Sequence, residues 1–402
     1  MKDNISIKNR LVHLLLNAIC SFGTRRNEII LESHPDFSCN TYELFRYMLS
    51  NNVLPGVKYV WILHDAATPH DDFGDNVDYI EMNPSSKIGK FKTYFRKYQA
   101  RCVISCNSIF PKFTGPSDQL HFFLDHGSQL KDVRVNGKRI DVDCDYYFSQ
   151  SKFFLPYHLQ EYALTEDQIV CTGLPRYDQL HRKNNNIYRI VPDYAEFSKI
   201  LIWVPTFRKH FQSSRVDCDR EYPYGLPLLY SETDIEKLLH ILKDTNTLLI
   251  IKPHPAQDVS SLATFNSLNI RILLNKNMQD GDIQINELLS QTDAMITDYS
   301  SIYYDYLELN RPIAITLDDI GEYTQQKGFV FDDVFSVIKG DYLYSIDDMC
   351  AFVKSISEEV DTKAEERKKV IDLIDDFFDG NSTERVWKFI FEQLNKQKKI
   401  YK

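Results

Sequence analysis

The chain has 402 residues, long enough for two domains of ordinary size, each with its own buried core. With 43% hydrophobic and 26% charged residues it has a globular balance, which excludes a disordered chain. A formal net charge of −10 speaks against non-specific nucleic-acid binding, whose phosphate track needs a surplus of Lys and Arg, so no nucleic-acid partner is expected.

In chain order, the first feature is an apolar run over residues 11–22. His13 and Asn17 interrupt it and no small-residue cleavage site follows, so it is read as neither a signal peptide nor a membrane span. Short β-branched and aromatic runs then predict strands near residues 27–33, 57–64, 101–106, 119–125, 145–149 and 168–172. A second series is expected near 199–205, 247–252, 270–274, 293–297, 312–316 and 328–331. Runs such as Leu248-Leu249-Ile250-Ile251 suit a parallel sheet covered on both faces. Helical patterns between the strands imply right-handed βαβ units, and hence an α/β fold with two open sheets.

The polar stretch Arg182-Lys183-Asn184-Asn185-Asn186 marks a seam. The expected division is 1–185, 186–380 and a C-terminal helix with a basic tail over 381–402, entered through an Asn381 or Ser382 cap. Eight cysteines occur without a Cys-x-x-Cys pair, several in apolar runs, which suits reduced thiols in a cytoplasmic protein.

Open sheets place ligands at the carboxyl ends of their strands, so loops leaving strands are where chemistry is sought. Two such sheets are expected to face each other across a cleft. Three loops stand out. In Leu124-Asp125-His126-Gly127, the imidazole of His126 follows a strand, Asp125 is able to tune it, and Gly127 permits a tight turn. It reads as a general base or as a loop histidine bonded to backbone. In Lys252-Pro253-His254-Pro255, two prolines hold the backbone around His254, and Lys252 offers a point charge to an anion. The alternative is a proline-rich surface turn. In Thr297-Asp298-Tyr299-Ser300-Ser301, the two serines fall at a helix start, where free N–H groups favour phosphate. The alternative there is an ordinary serine N-cap.

Other features are weaker. Thr206 and Arg208 follow a strand, and Arg208 with Lys209 is placed either to reach an anion or to lie on the surface. Arg176, in Gly173-Leu174-Pro175-Arg176-Tyr177-Asp178, precedes the seam. Glu32 and Ser33 end the first strand, where acceptor binding is one reading. Acidic residues do not gather in a two-metal spacing and histidines are not grouped, so neither a metal nor another cofactor is expected.

Taken in order, Asp125-His126-Gly127 with Leu130-Lys131, Thr172 to Asp178, Pro205-Thr206-Phe207-Arg208, Lys252 to Pro255, Thr297 to Ser301, Arg311-Pro312-Ile313 and Asp379 to Arg385 resemble the CDP-glycerol glycerophosphotransferase family of teichoic-acid primases and polymerases and capsule polymerases. The likeness runs from about residue 27 to 392. It implies a GT-B-like pair of Rossmann-type domains, acceptor side first and nucleotide-donor side second. It implies transfer of glycerol phosphate, or another polyol phosphate, from a CDP-activated donor to the hydroxyl of a lipid-linked or polymeric acceptor, with release of CMP. The family's histidines fall on His126, as base, and His254, which with Lys252, Thr297, Asp298, Ser300, Ser301, Thr206 and Arg208 would hold the donor phosphates. Gly127, Asp125 and Arg176 would support them. The chain departs from the family in carrying Asp125 where an aromatic residue is common, Ser128-Gln129 for Thr-Pro, and Lys252 for an Arg-containing variant.

Because such acceptors are lipid-linked, a peripheral site on the inner face of the membrane is expected. Lys8, Arg10, Arg25 and Arg26 around Leu11–Leu16, and the tail from Lys396 to Lys402, would dock on an anionic surface, or else are simply solvated ends. Two other readings remain open at this stage: a GT-B glycosyltransferase using a CMP- or UDP-sugar, and a non-catalytic nucleotide-binding subunit.

Overall fold

Among the described residues, runs of Ile, Leu and Val build two sheets in which every strand pairing is parallel. The structure is a computed structural model and describes residues 26–68, 72–108, 119–209, 216–255, 257–260, 262, 265 and 267–400, the last four without their side chains. The apolar run, Lys8, Arg10, Arg25 and the side chains of the basic tail beyond Lys396 lie outside it.

The first sheet contains β1 (Arg26–Glu32), β2 (Lys58–Leu63), β3 (Val77–Glu81), β4 (Ala100–Ser105), β5 (Leu120–Phe123), β6 (Tyr146–Ser149) and β7 (Ile169–Cys171), in the order β3-β2-β1-β4-β5-β6-β7. Its central strand has Ile29, Ile30 and Leu31 fully buried, so both faces are covered. Helices α1 (Cys39–Ser50), α2 (Lys87–Gln99) and α3 (Leu155–Glu161) accompany it. The second sheet contains β8 (Lys199–Val204), β9 (Thr247–Ile251), β10 (Ile270–Ile272), β11 (Ala294–Thr297), β12 (Ile313–Thr316) and β13 (Asp341–Leu343), in the order β10-β9-β8-β11-β12-β13. Its helices are α4 (Glu232–Asp244), α5 (Asn275–Asp280), α6 (Ile285–Leu289), α7 (Ile302–Leu307), α8 (Ile320–Gln326), α9 (Ile346–Ser357) and α10 (Ala364–Ile374), with α11 (Ser382–Ile400) closing the chain.

Both sheets run outward from a first strand in one direction and then in the other. The order reverses beside β1 in the first and beside β8 in the second. At such a reversal the flanking loops part and leave a crevice at the carboxyl ends of the strands.

The chain divides into two units. One comprises residues up to His126, Arg139–Arg176 and Asn381 onward; the other comprises Gly127–Lys138 and Tyr177–Gly380. The last helix therefore belongs with the first sheet. Val386, Ile390 and Leu394 recur every fourth residue, fully buried in its core, as an amphipathic helix requires. Gly173, at φ +75°, lies where a Cβ would meet Ser382 Oγ, so that close approach requires glycine.

Two expectations need correction. Residues 328–331 form no sheet strand; Gly328 has φ +76° and the segment makes a single antiparallel bridge, Lys131 with Phe329. Strands β3 and β13 were not foreseen. Both are edge strands, short and carrying Asp or Glu, which blurs the apolar signal.

Candidate functional site

The first cluster follows β5. Asp125 adopts φ 51°, a left-handed conformation that Asp tolerates better than most residues, and Gly127 follows at φ 135°. This sharp turn folds the Asp125 carboxylate back under its neighbour. Its Oδ1 accepts from the His126 backbone N–H at 2.6 Å and lies 3.0 Å from His126 Nδ1. The carboxylate is 3% exposed and the imidazole 54%, so the ring is anchored at one nitrogen and open to solvent elsewhere. An ionised carboxylate can only accept, which puts the proton on Nδ1 and leaves Nε2 with its lone pair.

Behind Asp125 the network continues inward. Tyr147 Oη donates to Asp125 Oδ2 and lies 3.3 Å from His158 Nδ1, and His158 Nε2 is 3.0 Å from Ser149 Oγ. Burial drives the pKa of His158 down to about 4, so this second ring stays neutral. Burial opposes the charge on Asp125, but His126 and Tyr147 hold its pKa below the usual carboxylate range. Desolvation likewise opposes the charged form of His126, but the hydrogen bond and charge of Asp125 prevail and raise its pKa.

The turn is clamped from two sides. Asn40, at the start of α1, donates to the carbonyls of Leu124 at 3.2 Å and Asp125 at 2.8 Å. Its Oδ1 accepts the Arg176 backbone N–H at 3.0 Å, and Arg176 Nη1 donates to the His126 carbonyl. Arg176, only 8% exposed, thus holds the His126 backbone rather than presenting its charge to solvent.

The second cluster gathers the ends of β8, β9 and β11. Thr206 donates to Asp298 through its backbone N–H at 3.1 Å and its hydroxyl at 2.9 Å. Arg208 Nη1 reaches Asp298 at 2.8 Å while its Nε reaches Asp319 at 2.6 Å. Rings of Tyr222, Tyr299 and Tyr323 lie 5.3–5.6 Å from its guanidinium carbon. Arg208 is 6% exposed, and Asp298 and Asp319 1% each, so the cation is matched by two carboxylates inside the protein. Burial opposes ionisation of Asp319, yet Arg208 holds its pKa below the ordinary value. Thr297 Oγ1 bonds the Val204 carbonyl at 2.8 Å, joining β11 to β8. Thr206, Arg208, Asp298 and Asp319 form one buried brace between neighbouring strand ends, so Arg208 does not have the surface placement that was one of its two readings.

Lys252 is different. It is 8% exposed, and its Nζ meets only the Asn275 side-chain oxygen at 2.7 Å and the Pro253 carbonyl at 3.3 Å, with no carboxylate partner among the described residues. Burial without a counter-charge brings its pKa down to about 8. His254 is exposed, with its ring 4.8 Å from that of the buried Phe207. Lys131 Nζ lies 5.9 Å from the same Phe207 ring and 3.9 Å from Asp217. Ser300 and Ser301 are half-buried at the start of α7, a helix of six residues. Ser301 stands at the N-cap position with φ −62° and makes no side-chain cap bond, so its hydroxyl does not serve as an ordinary cap. With β9, β8 and β11 adjacent, the Lys252 and Asp298 ends are separated by two strand spacings, roughly 10 Å.

Sequence reasoning missed Asn40, Tyr147, His158, Asn275 and Asp319. None stands in a motif. Each acts on a partner at least 11 positions away, and only the fold brings them together.

Two doubly wound sheets, each with polar loops at its strand ends, define a two-unit α/β protein of the Rossmann type. The chain belongs to the CDP-glycerol:poly(glycerophosphate) glycerophosphotransferase family, whose pattern matches residues 14–392, as the ordered motifs led one to expect. The teichoic acid poly(ribitol-phosphate) polymerase of Bacillus spizizenii is 27% identical over 237 residues, 57% of this chain and 34% of that protein. The teichoic acid glycerol-phosphate primase of Bacillus subtilis is 27% identical over 235 residues, 58% of this chain and 53% of that protein. The chain thus spans from about a third to about half of these relatives' length. In fold it is similar to a variant of the wall teichoic acid polymerase TagF, at TM-score 0.73 and 17% identity, covering 98% of this chain and 97% of that one. A UDP-GlcNAc 2-epimerase from Methanocaldococcus jannaschii shares the fold more distantly, at TM-score 0.53 and 11% identity over 91% of this chain and 99% of that one.

Proposed function

We propose that the protein transfers a polyol phosphate, glycerol phosphate in the first instance, from a CDP-activated donor to a hydroxyl of a cell-surface polymer or its lipid-linked precursor. The observation that carries this reading is the Asp125–His126 dyad: an imidazole fixed through Nδ1, open at Nε2 and set at a strand end. His126 Nε2 takes the proton of the acceptor hydroxyl as its oxygen attacks the phosphorus that bears the polyol. The bond from that phosphorus to the bridging oxygen breaks, and CMP leaves with the electron pair. Charge grows on the bridging and non-bridging oxygens, so positioned donors supply most of the acceleration. Lys252, His254 and the hydroxyls of Ser300 and Ser301 fill that role. An anion beside Lys252 would relieve a buried ammonium that lacks a counter-charge.

The test is incubation with CDP-glycerol, CDP-ribitol and nucleotide sugars, reading CMP or UDP release by mass. Release of CMP from a CDP-polyol is expected. Release from a nucleotide sugar alone would replace this reading with glycosyl transfer.

The acceptor side is proposed to work at an anionic membrane surface. Among the described residues no helix is long and apolar enough to cross a membrane. Helix α2 exposes Lys87, Lys90 and Lys92 and has no acidic residue, on a chain of net charge −10, while its Arg96 is paired inward with Glu28 and Asp78. Ile88, Phe91 and Tyr94 recur every third position on it and are 70%, 44% and 36% exposed. Basic and aromatic residues on one exposed helix suit the interface of an anionic bilayer. Flotation with vesicles containing phosphatidylglycerol is expected to carry the protein and to lose it when Ile88 and Phe91 become Glu; equal flotation of that variant would remove α2 from this role.

A further inference from the structure

A second carboxylate–imidazole dyad stands at the point where the first sheet reverses its order. Glu32 ends β1 with its side chain fully buried, and its Oε1 lies 2.8 Å from His64 Nε2, just beyond β2. Its Oε2 accepts from the backbone N–H of Asn107 at 3.3 Å and Ser108 at 3.0 Å, just beyond β4. Ser108 Oγ is 3.4 Å from the same His64 nitrogen. Burial opposes the charge of Glu32, but His64 and Ser108 keep its pKa below the ordinary value. The loop after β2 is pinned as well, with Asp36 accepting from the backbone N–H of His64 at 2.9 Å and Asp65 at 3.0 Å, and from Thr68 Oγ1 at 3.1 Å.

With Glu32 ionised, the ring proton of neutral His64 sits on Nε2 and the lone pair on Nδ1. The hydrogen bond to Glu32 outweighs burial and raises the His64 pKa, so that lone pair is available on the alkaline side of the ordinary imidazole range. The ring is 23% exposed, and Nδ1 has no hydrogen-bond partner among the described residues. His34 flanks it, ring centroids 4.7 Å apart. Crevices at strand-order reversals are where open α/β sheets bind ligands. This crevice shares its frame with His126. Glu32 pairs with Ser105 of β4 and Ser105 with Phe123 of β5, two strand spacings or roughly 10 Å in all. The loop leaving Glu32 leads through Ser33 and Ser38 to Asn40, which clamps the His126 turn.

We propose that Glu32, His64 and Ser108 form a subsite for a second hydroxyl of the acceptor's polyol or sugar end, with His64 Nδ1 accepting that hydroxyl's hydrogen bond. The assignment rests on the reading of His126 as the base on the acceptor. A phosphate is disfavoured here, since the carboxylates of Glu32 and Asp36 stand beside the imidazoles of His64 and His34, and burial lowers the pKa of His34. A neutral hydroxyl donates to Nδ1 without that repulsion.

The test compares two synthetic acceptors with CDP-glycerol as donor: one ended by glycerol phosphate, the other by propane-1,3-diol phosphate, which lacks the second hydroxyl. The wild type is expected to favour the first by about tenfold in kcat/KM, the worth of one hydrogen bond to a fixed partner. In His64→Leu that preference is expected to fall to about onefold, with acceptor KM up about tenfold and donor KM changed less than about twofold. His64→Asn, which keeps a polar side chain of smaller size, supplies the same comparison where the Leu variant fails to fold. A wild type without preference, or a folded variant that keeps it, would overturn the subsite while leaving the transfer reaction intact. Absence of CMP release from the wild type with both acceptors would instead overturn the reading of function on which the subsite depends.

Discussion

The two clusters handle buried charge in opposite ways. At the end of β5 a carboxylate is sunk beneath an open imidazole, and each partner compensates the other: Asp125 is 3% exposed and His126 54%. At the end of β9 a lysine is sunk with only neutral oxygens for company. The first arrangement is complete as it stands. The second has no carboxylate partner among the described residues. A third case is Arg208, fully matched by Asp298 and Asp319 inside the protein. Burial of a charged group is therefore no guide to its role until its partners are counted.

That contrast can be broken or sharpened by experiment. The largest effect is expected from Arg208→Met, which strands two carboxylates in the interior and should cost about 3–5 kcal/mol of stability by urea unfolding. A weaker donor affinity at unchanged stability would make Arg208 a ligand contact instead of a brace. Next, His126→Ala and His254→Ala should each lower turnover at least about a hundredfold in folded protein. Near-normal rates in both would end the assignment of chemistry to these loops.

Asp125→Asn is expected to slow transfer by roughly tenfold or more and to change its pH dependence. Because Asp125 raises the His126 pKa, wild-type kcat/KM should fall as pH drops through a value above that of an ordinary imidazole. Without the carboxylate that limb should move to lower pH, and an unmoved limb would assign it to another group. Lys252→Met should raise donor KM roughly tenfold. In the wild type, donor KM should itself climb as pH rises through about 8, where Lys252 loses its proton, and this dependence should vanish in the variant. The smallest change, a few-fold weakening of donor binding, is expected from Ser301→Ala, of the size of one hydroxyl hydrogen bond. No change in donor affinity would return Ser301 to a purely local role.

Much of this was legible beforehand, and the reason is locality. His126, with its carboxylate neighbour and following glycine, is a three-residue feature, and His254 between two prolines is another. The central strands announce themselves by unbroken apolar runs such as Leu248 to Ile251. The edge strands β3 and β13 escaped because Asp78, Glu81 and Asp341 interrupt their pattern. Arg208 misled for a related reason: a cation after a strand looks available, and nothing nearby in the chain reveals that Asp319, 111 positions on, claims it.

By itself the sequence determined the α/β class, most strands, the family and the loops that bear imidazoles, because each of these is written in contiguous residues or in their order. Only the tertiary structure decided which charges are matched by a buried partner and which are not. Pairing and pKa follow from distance and desolvation, and the order of strands in each sheet sets both. Parallel pairing brings Glu32 to His64 and Tyr147 to Asp125, and leaves Lys252 with Asn275; no spacing in the chain encodes those meetings.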